Sequence, residues 1–300
     1  MHMKFYPWII SFRPKTLALS FSSILLGNAL AYWQQSFDVL ILLLSLITAS
    51  LLQILSNLAN DYGDAVKGSD RKNVLAHTRG IQLGLITLEQ LKIALYINIF
   101  LCIVSGLSLI IIACHNTYQF LIFILLGLLS IIAAITYTIG KKPYGYIGLG
   151  DLSVLIFFGL VGVIGSYFLQ VKLLPVSIIL PAVSSGLLAV AVLNINNLRD
   201  IDSDSTNNKR TLVVLMGKTL GKYYHLLLLL SSFILFSLFA YYYLHTIYSG
   251  LFLLILPLYV KHINDLFKFN SIKTAVPLLI QMVKLALFTN LLYCLGIILS

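Results

Sequence analysis

Six of the ten acidic residues of this 300-residue chain fall in two short windows. Asp61, Asp64 and Asp70 lie in NLANDYGDAVKGSD, from Asn57 to Asp70. Asp200, Asp202 and Asp204 lie in NINNLRDIDSDSTNNKRTL, from Asn194 to Leu212. In the first window Asn60 and Asp64 are spaced i, i+4, and Asn57 and Asp61 form a second such pair. In the other, Asn196, Asp200 and Asp204 step by four. On a continuing helix each step of four keeps side chains on one face, about 6 Å apart along the axis. Two such stripes facing each other make a pocket of carboxylate and amide oxygens, which suits a hard cation. Mg²⁺ takes one or two carboxylates and fills its shell with phosphate oxygens. Cations accompany both windows: Lys67, Arg71, Lys72 and Arg79 with the first, Arg199, Lys209 and Arg210 in the second, and Lys141 and Lys142 between them. Metal-binding acids beside Lys and Arg suit a diphosphate, whose charge both kinds of group neutralise.

Taken singly, each residue has a plainer reading. Asp and Asn cap helices and start turns, and Lys and Arg in loops report topology. Asp151, after the glycines of YGYIGLGD, reads as a cap, and the GxG pieces there lack the strand–helix setting of a dinucleotide loop. His2, His77, His115, His225, His245 and His262 form no cluster in the sequence. Cys102, Cys114 and Cys294 sit inside apolar runs without ligand spacing and read as core residues. The repetition of spacing and position in the two windows is what favours a site over a set of caps.

The elements that must carry these windows are membrane helices. The chain is 59% hydrophobic and 10% charged, with a mean hydropathy of +0.97. A soluble domain is about a quarter charged, so there are too few polar residues here to cover a water-facing surface. In lipid only helices and closed barrels satisfy the backbone, and long unbroken apolar runs select helices. The runs at 17–33, 39–58, 91–113, 118–139, 152–170, 174–198, 224–244, 247–260 and 277–299 read as nine spans, the first uncleaved. With nine, every Lys and Arg except Lys172 and Lys284 falls on the side of the N-terminus and of the loops after spans two, four, six and eight. That asymmetry predicts a cytoplasmic N-terminus in a cell membrane. It also accounts for the net charge of +10 without nucleic acid. The two long connections on that side, roughly 59–90 and 199–223, hold the acidic windows. No linker or low-complexity tract divides the chain, so residues 1–300 read as one domain. An aspartate-rich site at the mouth of an apolar bundle predicts a substrate with a diphosphate head and a long apolar tail. A cation transporter is the non-enzymatic alternative, but its acids belong near the bilayer midplane rather than at span ends. A CDP-alcohol phosphotransferase would need a DGxxAR element that is missing here.

Four stretches resemble a known family: RPKTLALSFSSILLGNALA from Arg13, NLANDYGDAVKGSD from Asn57, KPYGYIGLGDLSVLIFFG from Lys142, and NINNLRDIDSD with KRTLVVLMG from Asn194. NDYGD and RDIDSD look like the two aspartate-rich motifs of UbiA-type intramembrane prenyltransferases. The resemblance is nearest to the branch that acts on 1,4-dihydroxy-2-naphthoate in menaquinone synthesis. It implies an all-α fold of nine helices around a central cavity, in two four-helix halves plus one. The family pattern NDxxDxxxD carries onto Asn60, Asp61 and Asp64, with Gly68 at the last place and an aspartate displaced to Asp70. DxxxDxxxD carries onto Asp200 and Asp204, with Asn208 at the last place. LAHTRG at 75–80 stands where a Gly-Pro usually precedes the Arg. The implied reaction is Mg²⁺-assisted ionisation of a polyprenyl diphosphate, alkylation of the aromatic acceptor and loss of its carboxylate as CO₂. Asn60, Asp64, Asn196, Asp200 and Asp204 are expected to hold the metal, with Asp61 a ligand or a group behind the ligands. Lys67, Arg79, Lys141, Arg199 and Lys209 are expected to meet the diphosphate. Tyr137, Phe157 and Phe158 are candidate walls for the allylic cation. Another acceptor of the family, such as 4-hydroxybenzoate, homogentisate or haem, is the near alternative. Prenyl chain length and oligomeric state are not readable from these residues.

Overall fold

The computed structural model describes residues 6–68, 80–269 and 272–300. A short helix, α1 (Tyr6–Phe12), precedes α2 (Pro14–Trp33), α3 (Val39–Lys67), α4 (Leu88–Ala113) and α5 (Thr117–Thr136). There follow α6 (Gly150–Val171), α7 (Val176–Thr206), α8 (Leu212–Leu244), α9 (Ile247–Lys268) and α10 (Ile272–Ile298). Among the described residues no strand occurs, and α2 to α10 are each long and apolar enough to cross a membrane. Ile111, Leu121, Ile122, Leu230 and Ile234 are each more than half exposed on the outside of the bundle. Side chains like these face lipid, not water, and their lining of the spans marks a multi-pass membrane protein.

The nine expected spans are present, but helix continues into both segments read as long loops. α3 runs on through the first acidic window to Lys67, and α7 runs on through the second to Thr206. Hydropathy marks where a helix leaves the apolar layer, not where its hydrogen bonds stop. Neither window contains a proline, and the one glycine inside a helix, Gly63, is tolerated there. The first stop is Gly68, at φ 68°, whose N–H closes onto the Ala65 and Asp64 carbonyls. Only glycine takes that left-handed cap without steric cost. α9 likewise outlasts its apolar run: it starts as a 3₁₀ turn over Ile247–Ile255 and continues as an α-helix to Lys268.

The helices pack as a ring. α10 lies against α2, α7 and α9, so the last span closes onto the first. The larger core cluster joins Leu26 and Leu30 of α2 to Val163 and Tyr167 of α6 and to residues of α7 to α10. A smaller one joins Leu55 and Leu58 of α3 to Leu91 and Leu95 of α4. α2 therefore shares the core of the later spans more than that of its neighbours in sequence. Small residues allow this approach. A Cβ at Gly27 would run into the Val163 carbonyl oxygen, and one at Gly159 would stand 2.8 Å from the Ala182 carbonyl oxygen. Between those contacts, Leu155–Gly165 of α6 is wound as a π-helix.

Candidate active site

The end of α3 presents three faces, each to a different neighbour. Asn57 and Asp61 turn toward the elbow between α1 and α2. The Asn57 amide donates to the Phe12 carbonyl at 2.9 Å and to Thr16 Oγ1 at 3.0 Å. Asp61, only 1% exposed, accepts from Arg13 Nη2 at 2.5 Å in an ion pair. Arg13 itself has φ 50°, a left-handed backbone that sets the turn from α1 into α2. Asn60, Gly63 and Lys67 lie along a second face, against the turn that follows α5. A Cβ at Gly63 would come within 2.7 Å of Thr138 Cγ2, so glycine lets that turn sit directly on the helix. The Thr138 hydroxyl donates to Asn60 Oδ1, and Lys67 Nζ donates to the Thr138 carbonyl at 2.7 Å.

Asp64 takes the third face, toward the end of α7. Its Oδ1 accepts from the Tyr146 hydroxyl at 2.9 Å. The Tyr146 ring lies beneath two ammonium groups, Lys67 Nζ at 4.0 Å from its centroid and Lys209 Nζ at 5.7 Å. Lys209 also pairs with Asp204 Oδ1 at 3.3 Å. Burial disfavours the charge on Lys209, but Asp204, Asp64, Tyr146 and Asp200 together outweigh it and raise its pKa. The protonated ammonium is thus the form this cluster holds. Tyr146 and Lys209 join the two acidic windows, and the Tyr146 backbone is fixed as well: its carbonyl accepts from Arg210 N at 2.9 Å.

On α7, Arg199 grips Asp200 through two hydrogen bonds, Nε to Oδ1 at 2.8 Å and Nη2 to Oδ2 at 2.5 Å. Asp202 is exposed, while Asp204 is buried. Asn208, at the last place of the expected motif, is exposed at φ 55° just past the helix. Asn tolerates that left-handed conformation better than most residues. The position serves the turn that returns Lys209 to Asp204. Asn196 is half-buried on the same helix, and Lys141 is exposed in the turn after α5. Arg79 and Asp70 lie outside the described residues, as do Arg71 and Lys72.

Among the described residues no three His, Cys, Asp or Glu side chains are grouped closely enough to hold a metal by themselves. The donor set nevertheless fits a hard divalent cation. It consists of carboxylate and amide oxygens, and Asp204 Oδ2 is buried without a hydrogen-bond donor. An orphaned buried carboxylate oxygen is costly unless a cation meets it.

Three features were not expected from the sequence. Tyr146 had no assigned role, although it lies within YGYIGLGD; only its contacts give it one. His225 and His262, 37 residues apart, do come together: their Nε2 atoms are 3.2 Å apart, and the pair runs from Asn194 of α7 to Gln281 of α10. Asp151 is not a cap. No side chain caps α6 at Leu149, and Asp151 Oδ1 instead accepts from the Tyr224 hydroxyl of α8 at 3.3 Å. Tyr137 packs edge-on against Tyr144, with centroids 5.3 Å apart. Burial first, then the charge of Asp151 and those of Tyr144, Asp204 and Asp64, raise its hydroxyl pKa well above the ordinary value. Of the other expected wall residues, Phe158 packs against the larger core cluster.

Replacing Tyr146 by phenylalanine keeps the ring beneath both lysines and removes the hydroxyl that donates to Asp64. A hydrogen bond to a charged group is worth roughly 1.5–3 kcal/mol. Tyr146→Phe is therefore expected to cost about 10- to 100-fold in kcat/KM, with an unchanged melting temperature. Steady-state kinetics and thermal unfolding in detergent check both parts.

Comparison with known proteins places this arrangement. The profile of the UbiA prenyltransferase family matches residues 20–289. The chain is 54% identical over 293 residues to the 1,4-dihydroxy-2-naphthoate octaprenyltransferase of Escherichia coli (strain K12), covering 98% of this chain and 95% of that one. It is 46% identical to the protein of the same name from Haemophilus influenzae, over 98% of this chain and 96% of that one. In fold it is similar to the apo structure of a UbiA homolog from Aeropyrum pernix K1, with TM-score 0.70, 16% identity, and coverage of 93% and 97%. It is also similar to a UbiA homolog from Archaeoglobus fulgidus bound to DMAPP and Mg²⁺, with TM-score 0.64, 14% identity, and coverage of 98% and 99%.

Proposed function

The chain belongs to the UbiA prenyltransferase family, and on that premise we propose that it transfers an octaprenyl group from its diphosphate to 1,4-dihydroxy-2-naphthoate, with loss of the acceptor's carboxylate as CO₂. The observation that carries this reading is the junction of the two acidic windows through Tyr146 and Lys209, beside relatives that share the naphthoate name over nearly the whole chain. The single domain spans residues 1–300. The basic asymmetry of the loops supports a cytoplasmic N-terminus, with the acidic windows on the cytoplasmic side of the membrane.

Asp64, Asp200 and Asp204, with Asn60 and Asn196 alongside, would hold Mg²⁺. Bound there, the metal supplies positive charge for the diphosphate oxygens as the allylic C–O bond breaks. The chain's own residues do the rest. Lys67 and Lys209 flank the Tyr146 ring and present two ammonium groups to the same diphosphate. Arg199 now satisfies Asp200 and would exchange that carboxylate for phosphate oxygens when the substrate enters, as guanidinium serves either anion bidentately. Arg79 and Lys141 are proposed as further diphosphate contacts. Tyr137 lies next to Thr138, which holds Asn60, and its hydroxyl lies beside Gly150; its aromatic face would stabilise the developing cation without capturing it. The lipid-sealed walls of the bundle keep water from trapping that cation as an alcohol.

Membranes containing the protein are expected to convert labelled octaprenyl diphosphate and 1,4-dihydroxy-2-naphthoate into a lipid-soluble quinol. The product should disappear with EDTA and return with added Mg²⁺. Product from 4-hydroxybenzoate instead would keep the chemistry and overturn the acceptor. Metal flux into proteoliposomes without product from any donor would overturn the enzyme reading.

A further inference from the structure

Asp151 is the buried acid that lies outside both windows. It is 5% exposed, and among the described residues it makes no ion pair with any Lys or Arg. Its side-chain partner, the Tyr224 hydroxyl at 3.3 Å, is neutral. The other two buried acids each have a cation: Arg13 serves Asp61 and Lys209 serves Asp204. A carboxylate buried in a membrane bundle without a cation costs several kcal/mol, and such groups mark function more often than structure.

Its surroundings say what it faces. Gly150, the preceding residue, lies beside the Tyr137 hydroxyl, since a Cβ there would come within 3.0 Å of that oxygen and 3.6 Å of Leu193 Cδ2. The next residue, Thr138, donates to Asn60 Oδ1, so Tyr137 links the neighbourhood of this lone acid to the first acidic window, and the charges of Asp151, Asp204 and Asp64 all act on its hydroxyl. Tyr224 of α8 holds the carboxylate itself. Tyr137 thus has the diphosphate end of the site at its neighbour Thr138 and the residue before a proton-accepting group at its hydroxyl. The acceptor in the proposed reaction carries a hydroxyl next to its carboxylate, and that hydroxyl must lose its proton for the ring to act as a strong nucleophile.

We infer that Asp151 is the base that receives the proton of the acceptor's hydroxyl, with Tyr224 positioning it and Tyr137 forming the wall between acceptor and diphosphate. This rests on the aromatic-acceptor reading above. The steps balance. The allylic C–O bond breaks and its electron pair leaves with the diphosphate. The ring carbon bearing the carboxylate forms the new C–C bond as the adjacent hydroxyl gives its proton to Asp151, which leaves a ketone beside a carboxylate. The bond to the carboxylate then breaks, CO₂ departs, and its electron pair restores the aromatic ring. The ring oxygen recovers the proton, and Asp151 returns as a carboxylate.

The test uses purified full-length enzyme in lipid, with Asp151→Asn, Asp151→Glu and Tyr224→Phe. Positioned proton transfer is worth about 10²- to 10⁴-fold. Asp151→Asn is expected to lower kcat by about 10²-fold or more, leaving the KM for the prenyl diphosphate within about twofold. Asp151→Glu should recover part of that loss, and Tyr224→Phe should lose about tenfold. A methyl ether of the hydroxyl next to the carboxylate has no proton to give. Asp151→Asn should add no further loss to the wild type's poor rate with that ether. With the ether at the other hydroxyl the full defect should persist. Equal defects with both ethers, or full activity in Asp151→Asn, would overturn the inference. If Asp151→Asn fails to fold, Tyr224→Phe decides: unchanged kcat in that variant overturns the proposal. Wild-type enzyme inactive with every aromatic acceptor would instead overturn the underlying function, a separate result.

Discussion

Asp64→Ala and Asp200→Ala enzymes are expected to insert, keep their helical content, and lose about 10³-fold or more in kcat, as removal of a main electrostatic group from a charge-separating step does. The structure makes the expectation specific. Asp64 faces Tyr146 and the cluster around Lys209, while Asp200 is half-buried and held by the adjacent Arg199. Asp64 accepts from a neutral hydroxyl and Asp200 pairs with the residue next to it in the same helix, so loss of either carboxylate should leave the bundle folded. Asp61, three residues from Asp64, should behave differently because its carboxylate points at Arg13. Asp61→Asn should lower the melting temperature and affect turnover only through stability. Kinetics, circular dichroism and thermal unfolding on the three variants separate the roles. Near-normal turnover in Asp64→Ala or Asp200→Ala would sink the metal assignment. A kcat loss in Asp61→Asn at full stability would return Asp61 to the ligand set.

Arg13→Ala should be the most destabilising of the single changes considered. It removes the guanidinium from a carboxylate that is 1% exposed. Breaking a buried ion pair costs about 3–5 kcal/mol, and the Arg13 side chain is 27% exposed, so about 2–4 kcal/mol is expected. Two further variants identify the cause. Arg13→Gly relieves the left-handed backbone at φ 50°, worth about 1–2 kcal/mol, and should be less harmful than Arg13→Ala by that amount. Arg13→Met combined with Asp61→Leu removes both charges and should recover most of the stability. Thermal unfolding in detergent reads all three. A double variant no better than Arg13→Ala would show that the elbow between α1 and α2 is held by something other than this pair.

The architecture was legible because lipid leaves the chain so little choice. Each span had to be a helix, its location followed from local composition, and the charge count favoured nine. The two acidic windows were legible for a related reason: a step of four is a property of one helix and needs no knowledge of its neighbours. What the windows could not disclose is the rotation of each helix about its axis. Asn57 and Asp61 have the same spacing as Asn60 and Asp64, yet the first pair serves the elbow at Arg13 while Asn60 and Asp64 meet Thr138 and Tyr146. The extent of the helices was also hidden, because hydropathy ends at the membrane surface while hydrogen bonding continues to Gly68 and Thr206. The contacts between distant segments lie 82 residues apart at Tyr146 and Asp64, 73 at Tyr224 and Asp151, and 37 at His225 and His262. Local pattern by itself determined the helices and the chemical nature of the site. Which carboxylates share that site, and which tyrosine stands between them, is decided by packing between helices that no local period encodes.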